Sequence, residues 1–131
     1  MAREIETKCI HLEEEENSIN HYGAISYPIY QSATYAHPGV GQSTGYDYSR
    51  LQNPTREHLE KTVASLENGI NALAFSSGMA AITLMMELFK PGDHLIVDAD
   101  LYGGSIRLFN HVSEKNGIEF SSVDCHKANV A

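Results

Sequence analysis

From residue 53 onward the apolar positions keep a regular rhythm. Asn53 is a good N-cap, Pro54 stands where a first helical residue tolerates a missing N–H, and Leu59, Val63 and Leu66 repeat at helical spacing. Asn68-Gly69 suits the C-terminus of that helix. Ala72 to Phe75 is a short apolar run, the pattern of a strand covered on both faces. Ile82, Leu84, Met85, Met86, Leu88 and Phe89 then predict a mostly apolar helix, stopped by Pro91-Gly92. His94-Leu95-Ile96-Val97 predicts a second buried strand. A third helix carries Ile106, Leu108, Phe109 and Val112 to a stop at Asn116-Gly117, and Ile118 to Val123 reads as another strand. Helix and strand alternate throughout, which predicts an α/β fold with a mainly parallel sheet.

Residues 1–52 lack this rhythm. Ile25-Ser26-Tyr27-Pro28-Ile29-Tyr30 and Ser32-Ala33-Thr34-Tyr35 alternate apolar and polar positions, but Pro28 interrupts them. Proline restricts such a run to an edge strand or an extended arm. His37 to Gln42 reads as a loop, and the acidic run Glu13 to Glu16 as a solvated surface. An arm of this length buries its own Tyr22, Tyr27, Tyr30 and Tyr35 poorly. It is expected to lie on another surface, such as a neighbouring subunit. The expected organisation is an extended, intersubunit amino-terminal arm over 1–52 and an α/β domain over 53–131.

Composition narrows the class. The chain has 131 residues, the size of one ordinary domain, and 42% hydrophobic with 20% charged residues marks it as globular. A net charge of −8 argues against nucleic acid and against an anionic membrane surface as partners. Met1 to Glu6 has no apolar core of signal-peptide type, and no later run is long enough to span a bilayer. The two cysteines, Cys9 and Cys125, are expected to be free thiols in a cytoplasmic protein.

Three stretches carry candidate chemistry. In Ala74-Phe75-Ser76-Ser77-Gly78-Met79-Ala80-Ala81, Gly78 and the small side chains leave the first N–H groups of a helix open, which attracts anions. A tight strand-to-helix connection without a ligand has the same pattern. In Tyr48-Ser49-Arg50-Leu51-Gln52-Asn53-Pro54-Thr55, Arg50 offers a planar fork of donors to phosphate or carboxylate. Tyr48 lies two residues away, so an extended segment puts both side chains on one face. Read alone, the stretch favours a surface Arg paired with an acid, beside a packed Tyr. Asp100-Leu101-Tyr102-Gly103-Gly104 follows the carboxyl end of a predicted parallel strand, where such sheets bind ligands. Tyr102 there could stack on a flat ring or be an ordinary loop aromatic. No P-loop occurs, Gly39, Gly41 and Gly45 miss the dinucleotide-binding spacing, and the seven histidines show no paired metal spacing. A nucleophile built from Cys125-His126 is disfavoured, because adjacent residues seldom face each other productively.

Taken in order, the three stretches resemble the Cys/Met-metabolism family of pyridoxal-phosphate enzymes, over about Thr7 to Val123. The resemblance implies an aspartate-aminotransferase-like (fold type I) architecture, the chain forming the arm and the start of the large cofactor-binding domain. It implies that Tyr48 and Arg50 hold the cofactor phosphate of a neighbouring subunit, that Gly78 and Met79 hold the phosphate of the chain's own cofactor, and that Tyr102 stacks on the pyridine ring and assists leaving-group chemistry. It implies a homo-oligomer, dimer or tetramer, acting on a small amino-acid substrate in transsulfuration, by γ-replacement or elimination. Gly104 stands where methionine γ-lyases of that family usually carry a reactive cysteine, which tilts the resemblance towards cystathionine synthases and lyases.

The chain also departs from the family. Its members are several times longer, and their Schiff-base lysine, pyridine-pairing Asp and substrate-carboxylate Arg have no counterpart here. Lys8, Lys61, Lys90, Lys115 and Lys127 do not stand in that lysine's context. The expectation is an amino-terminal fragment that alone is catalytically inactive and binds pyridoxal phosphate weakly or not at all. The other reading is a non-catalytic assembly module that docks onto full-length subunits.

Overall fold

The computed structural model describes residues 4–11, 22 and 24–127. The acidic run Glu13 to Glu16 lies outside the described residues. Two compact units divide after Ala74: Met1–Ala74 and Phe75–Ala131. The boundary expected at 52–53 therefore falls inside the first unit.

The first unit holds a short helix α1, Ile5–Lys8, and the thirteen-residue helix α2, Pro54–Leu66. Asn53 caps α2 as its sequence predicts: its side-chain oxygen accepts from Thr55 N (2.9 Å) and Arg56 N (3.4 Å). At the other end Asn68 turns left-handed (φ 53°), and Gly69 N reaches back to Ala64 O at 2.8 Å, a Schellman closure. Between the helices the chain is extended but forms no strand. It makes one antiparallel bridge, Thr34 to Tyr48, flanked by Tyr35 N to Asp47 O and Ser49 N to Ala33 O.

The arm is partly held by its own unit. Thr55 Oγ1 accepts from Tyr30 N (2.8 Å) and donates to Pro28 O (3.3 Å), and Tyr27 stacks on His58 with ring centroids 4.0 Å apart. Its apolar side chains Ile25, Ile29 and Val40 are nevertheless exposed, as is Tyr22.

Ala72–Phe75 is not a strand. A strand exists only through a ladder partner, and among the described residues none lies alongside. Two of its N–H groups are taken by side chains instead, Ala72 N by Asn71 Oδ1 and Ala74 N by Glu60 Oε1, both at 2.9 Å. The run is not covered on both faces either: Leu73 is 62% exposed.

The second unit begins with helix α3, Gly78–Met86. It stops three residues short of the expected Phe89, in a turn where Glu87, Leu88 and Phe89 donate to Leu84, Met85 and Met86 carbonyls. Strand β1, His94–Asp98, leads to helix α4, Gly103–Leu108, which continues as a π-helical turn over Phe109–Ser113. Strand β2, Glu119–Val123, pairs with β1 in parallel, with His94 opposite Glu119 and Asp98 opposite Val123. This β–α–β unit is the parallel architecture the apolar rhythm predicts.

Its core is small. Phe109, Ile118, Ser105 and Ser113 are buried, and Phe109 packs against Phe120 with ring centroids 5.9 Å apart. Gly117 (φ +77°) closes the turn into β2 and brings its carbonyl to Gly92 N at 2.7 Å. A side chain there is excluded twice over, by the left-handed backbone and by Pro91, 3.2 Å from where a Cβ would stand.

Candidate functional site

In the first unit the Tyr48-Ser49-Arg50 segment is a turn, not the extended run its sequence suggests. Leu51 N and Gln52 N both donate to Tyr48 O, at 2.9 and 3.0 Å. The turn still brings the two side chains together: Arg50 Cζ lies 5.2 Å from the centroid of the Tyr48 ring. Arg50 is exposed, and no carboxylate among the described residues pairs with it. Ser49 is pinned behind them. Its hydroxyl bonds the Ser32 carbonyl and accepts from Asn53 Nδ2 at 3.1 Å. Asn53 Nδ2 also reaches Tyr30 O and the Tyr35 hydroxyl.

Sequence reasoning missed Arg56. Its two terminal nitrogens donate to Ser49 O (3.2 Å) and Leu51 O (2.5 Å), the carbonyls on either side of Arg50. A backbone carbonyl leaves no residue signature, so the only signal was the Arg56–Glu60 spacing on one helix face.

In the second unit, Ser77 caps α3 by accepting from Ala80 N at 3.1 Å, and Ala81 N bonds Ser77 O. The N–H groups of Gly78 and Met79 have no acceptor among the described residues, and a Cβ on Gly78 would meet nothing within 4 Å. The helix start therefore leaves its first two backbone donors open. Met79 also faces α4: its sulfur lies 3.8 Å from Ser105 Oγ.

Tyr102 sits just before α4, 73% exposed, its carbonyl accepting from Ser105 N. Gly104 sets the ring's position. A Cβ there would come within 2.5 Å of Tyr102 Cε1 and 3.1 Å of Met79 Sδ. A bare α-carbon leaves room for the tyrosine ring and the thioether beside it.

Asp98 ends β1, and its carboxylate accepts from Asp100 N at 2.9 Å. That bond, with a smaller contribution from the Cys125 thiol, holds its pKa below the usual range. The same contact pushes the Cys125 thiol up, Asp98 being the largest cause. A thiol that holds its proton is a poor nucleophile, so the geometry disfavours Cys125-His126 further. Cys9 and Cys125 are both free and exposed, and no cluster among the described residues could hold a metal. No described helix is long and apolar enough to cross a membrane.

A family model for the Cys/Met metabolism PLP-dependent enzymes matches residues 6–131. The chain belongs to this family. It is 47% identical to a cystathionine gamma-synthase/O-acetylhomoserine (thiol)-lyase of Bacillus subtilis, over 99% of this chain and 36% of that protein. It is 54% identical to a cystathionine gamma-lyase of the same organism, over 78% of this chain and 27% of that protein. A crystal structure of cystathionine gamma synthase from Xanthomonas oryzae pv. oryzae, in complex with aminoacrylate and cysteine, superposes with a TM-score of 0.84. The two are 34% identical, over 98% of this chain and 33% of that one. The chain thus spans about a third of the length of these relatives.

The family is pyridoxal-phosphate-dependent, and the residues present fit part of that cofactor. Open N–H groups at the start of α3 suit a phosphate, and an exposed aromatic ring suits a pyridine face.

Proposed function

We propose that this chain supplies the amino-terminal share of a pyridoxal-phosphate-dependent transsulfuration enzyme, of cystathionine γ-synthase or γ-lyase type. Such an enzyme acts on a sulfur amino acid or activated homoserine by γ-replacement or elimination. The observation that supports it is a pair of open donor sets, the exposed Arg50 beside Tyr48 and the N–H groups of Gly78 and Met79.

In this reading the cofactor, when bound, supplies an electron sink for the substrate's α-carbon. The chain's own residues bind and orient. Gly78 and Met79 donate backbone hydrogen bonds to the phosphate of the chain's own cofactor, with the α3 dipole behind them. Tyr48 and Arg50 donate to the phosphate in a neighbouring subunit. Tyr102 stacks on the cofactor ring and, through its hydroxyl, assists the leaving group. The protein is then a cytoplasmic homo-oligomer, a dimer or tetramer, with a small amino acid as substrate. Free, exposed thiols and unburied arm side chains support that placement.

A second reading is favoured by one observation. Leu84, Met85 and Leu88 at the end of α3 and Ile96 on β1 are all exposed, Leu88 by 79%. A chain with so much apolar surface suits docking onto full-length subunits as a non-catalytic module. Mixing it with a full-length homologue and sizing the products separates the two readings: a stable complex without activity of its own supports the module.

The test of the first reading is a titration with pyridoxal phosphate, followed by absorbance and borohydride trapping. A helix start contributes roughly 0.3–1 kcal/mol to an anion, and charge-assisted hydrogen bonds roughly 1.5–3 kcal/mol each. Immobilising the ligand costs on the order of 4 kcal/mol or more. Affinity of about millimolar or weaker is expected for this chain alone, without covalent capture. A tight complex trapped on one of its lysines overturns the reading that this chain alone lacks an anchoring base.

A further inference from the structure

Arg56 stands in the first turn of α2, on a backbone fixed by the Asn53 cap. Its guanidinium is one-third exposed, and each of its three nitrogens faces an acceptor. Nη1 donates to Ser49 O at 3.2 Å, Nη2 to Leu51 O at 2.5 Å, and Nε faces Glu60 Oε1 at 3.6 Å. The same Glu60 oxygen accepts from Ala74 N at 2.9 Å. The two carbonyls flank Arg50, so one planar fork grips the peptide on both sides of that residue.

We infer that Arg56 is a positioning residue for Arg50: it clamps the Ser49–Leu51 turn so that the Arg50 guanidinium is held out over Tyr48, ready for a phosphate. This rests on the proposed phosphate role of Arg50. Arg56 is not itself a second phosphate ligand. Glu60 balances its charge, and each terminal nitrogen commits one of its two N–H groups to a carbonyl. Ser49 is anchored separately, through its N–H to Ala33 O and its hydroxyl to Ser32 O and Asn53 Nδ2, but apart from this clamp the Leu51 side of the turn is closed by two hydrogen bonds to one acceptor, Tyr48 O. A turn that is ordered beforehand does not lose that freedom when the phosphate arrives, and this strengthens binding without any new contact to the ligand. Lysine cannot substitute, because a point charge does not span two carbonyls in one plane.

The test compares the 131-residue chain with Arg56→Met by amide hydrogen exchange, and by the NMR shift of the Arg50 Nε–H during titration with inorganic phosphate. With two hydrogen bonds lost, exchange at Leu51 and Gln52 is expected to quicken roughly tenfold, while amides in the last two turns of α2 keep their rates. The phosphate affinity read at Arg50 is expected to fall about threefold or more, a change that a role confined to helix stability does not produce. Unchanged exchange at Leu51 and Gln52, or unchanged phosphate affinity, overturns the clamp. If Arg50 in the parent chain does not respond to phosphate, the phosphate reading is overturned and the clamp is decided by exchange alone. Where Arg56→Met unfolds the unit, Arg56→Lys replaces it, with about a threefold change expected in exchange and the same outcomes overturning the proposal.

Discussion

Tyr46 donates its phenolic proton to Glu57 Oε2 across 2.5 Å, tying the loop before the Arg50 turn to the first half of α2. Glu57 also pairs with Lys61 at 2.7 Å through its other oxygen. Lys61, and then Tyr46, hold the Glu57 carboxyl below its usual range. Burial, and then Glu57, push the Tyr46 phenol well above the ordinary value of about 10. The folded chain therefore keeps this proton where the unfolded chain releases it. The contact's contribution to stability is complete below about pH 10 and is lost as pH rises through the raised value. In an ultraviolet titration, Tyr46→Phe should remove a late-ionising tyrosine, and Glu57→Gln should bring it earlier. Tyr46→Phe should also cost about 1 kcal/mol in urea unfolding. A titration identical in parent and variant would refute the contact.

Asn53 uses both ends of its amide: the oxygen caps α2, and the nitrogen reaches Tyr30 O, Tyr35 Oη and Ser49 Oγ. A cap alone is worth about 1 kcal/mol, so Asn53→Ala should cost about 2 kcal/mol or more in urea unfolding. Asn53→Asp keeps the acceptor and loses the donors. It should fall between the parent and Asn53→Ala, and a loss equal to that of alanine would show that the cap contributes nothing.

At the carboxyl ends of the strands, Asp98 restrains the Cys125 thiol. Asp98→Asn should lower the pKa of Cys125 and speed its alkylation by iodoacetamide at pH 8, because the thiolate is the reacting form. Cys9, in the other unit, serves as the internal reference. Its rate should not change, and a ratio of the two rates that stays constant speaks against the contact.

Gly104→Ala should displace the Tyr102 ring from residue 104, since the added carbon would stand 2.5 Å from the ring. The Gly104 Hα signals in the parent should show a cross-peak to Tyr102 ring protons. That cross-peak should vanish in the alanine variant while Phe109–Phe120 contacts persist. Its survival would mean that the ring is held by something other than the bare α-carbon.

Local signals in the sequence proved legible. Asn53-Pro54 opens α2 and Asn68-Gly69 closes it, because caps are written in the residues that make them. The rhythm from His94 to Val123 yields two parallel strands and the helix between them, and Gly78 opens a helix rather than a hairpin. Ala72–Phe75 was misread, because a strand is a relation with a neighbour and apolarity alone does not supply one. Tyr48 and Arg50 do come together, but through a turn where alternation suggested an extended run. The three motifs placed the chain in its family. The clamp of Arg56 was out of reach, because its targets are carbonyls that every residue owns.

The two strands of the second unit have only each other as partners among the described residues, and residues 71–74 have none. Each outer edge of the pair is a row of main-chain donors and acceptors with no ladder. Such an edge does not distinguish the strand that completes a sheet from the same edge on another copy of the chain. Which of the two adds is then a matter of relative concentration rather than of main-chain chemistry.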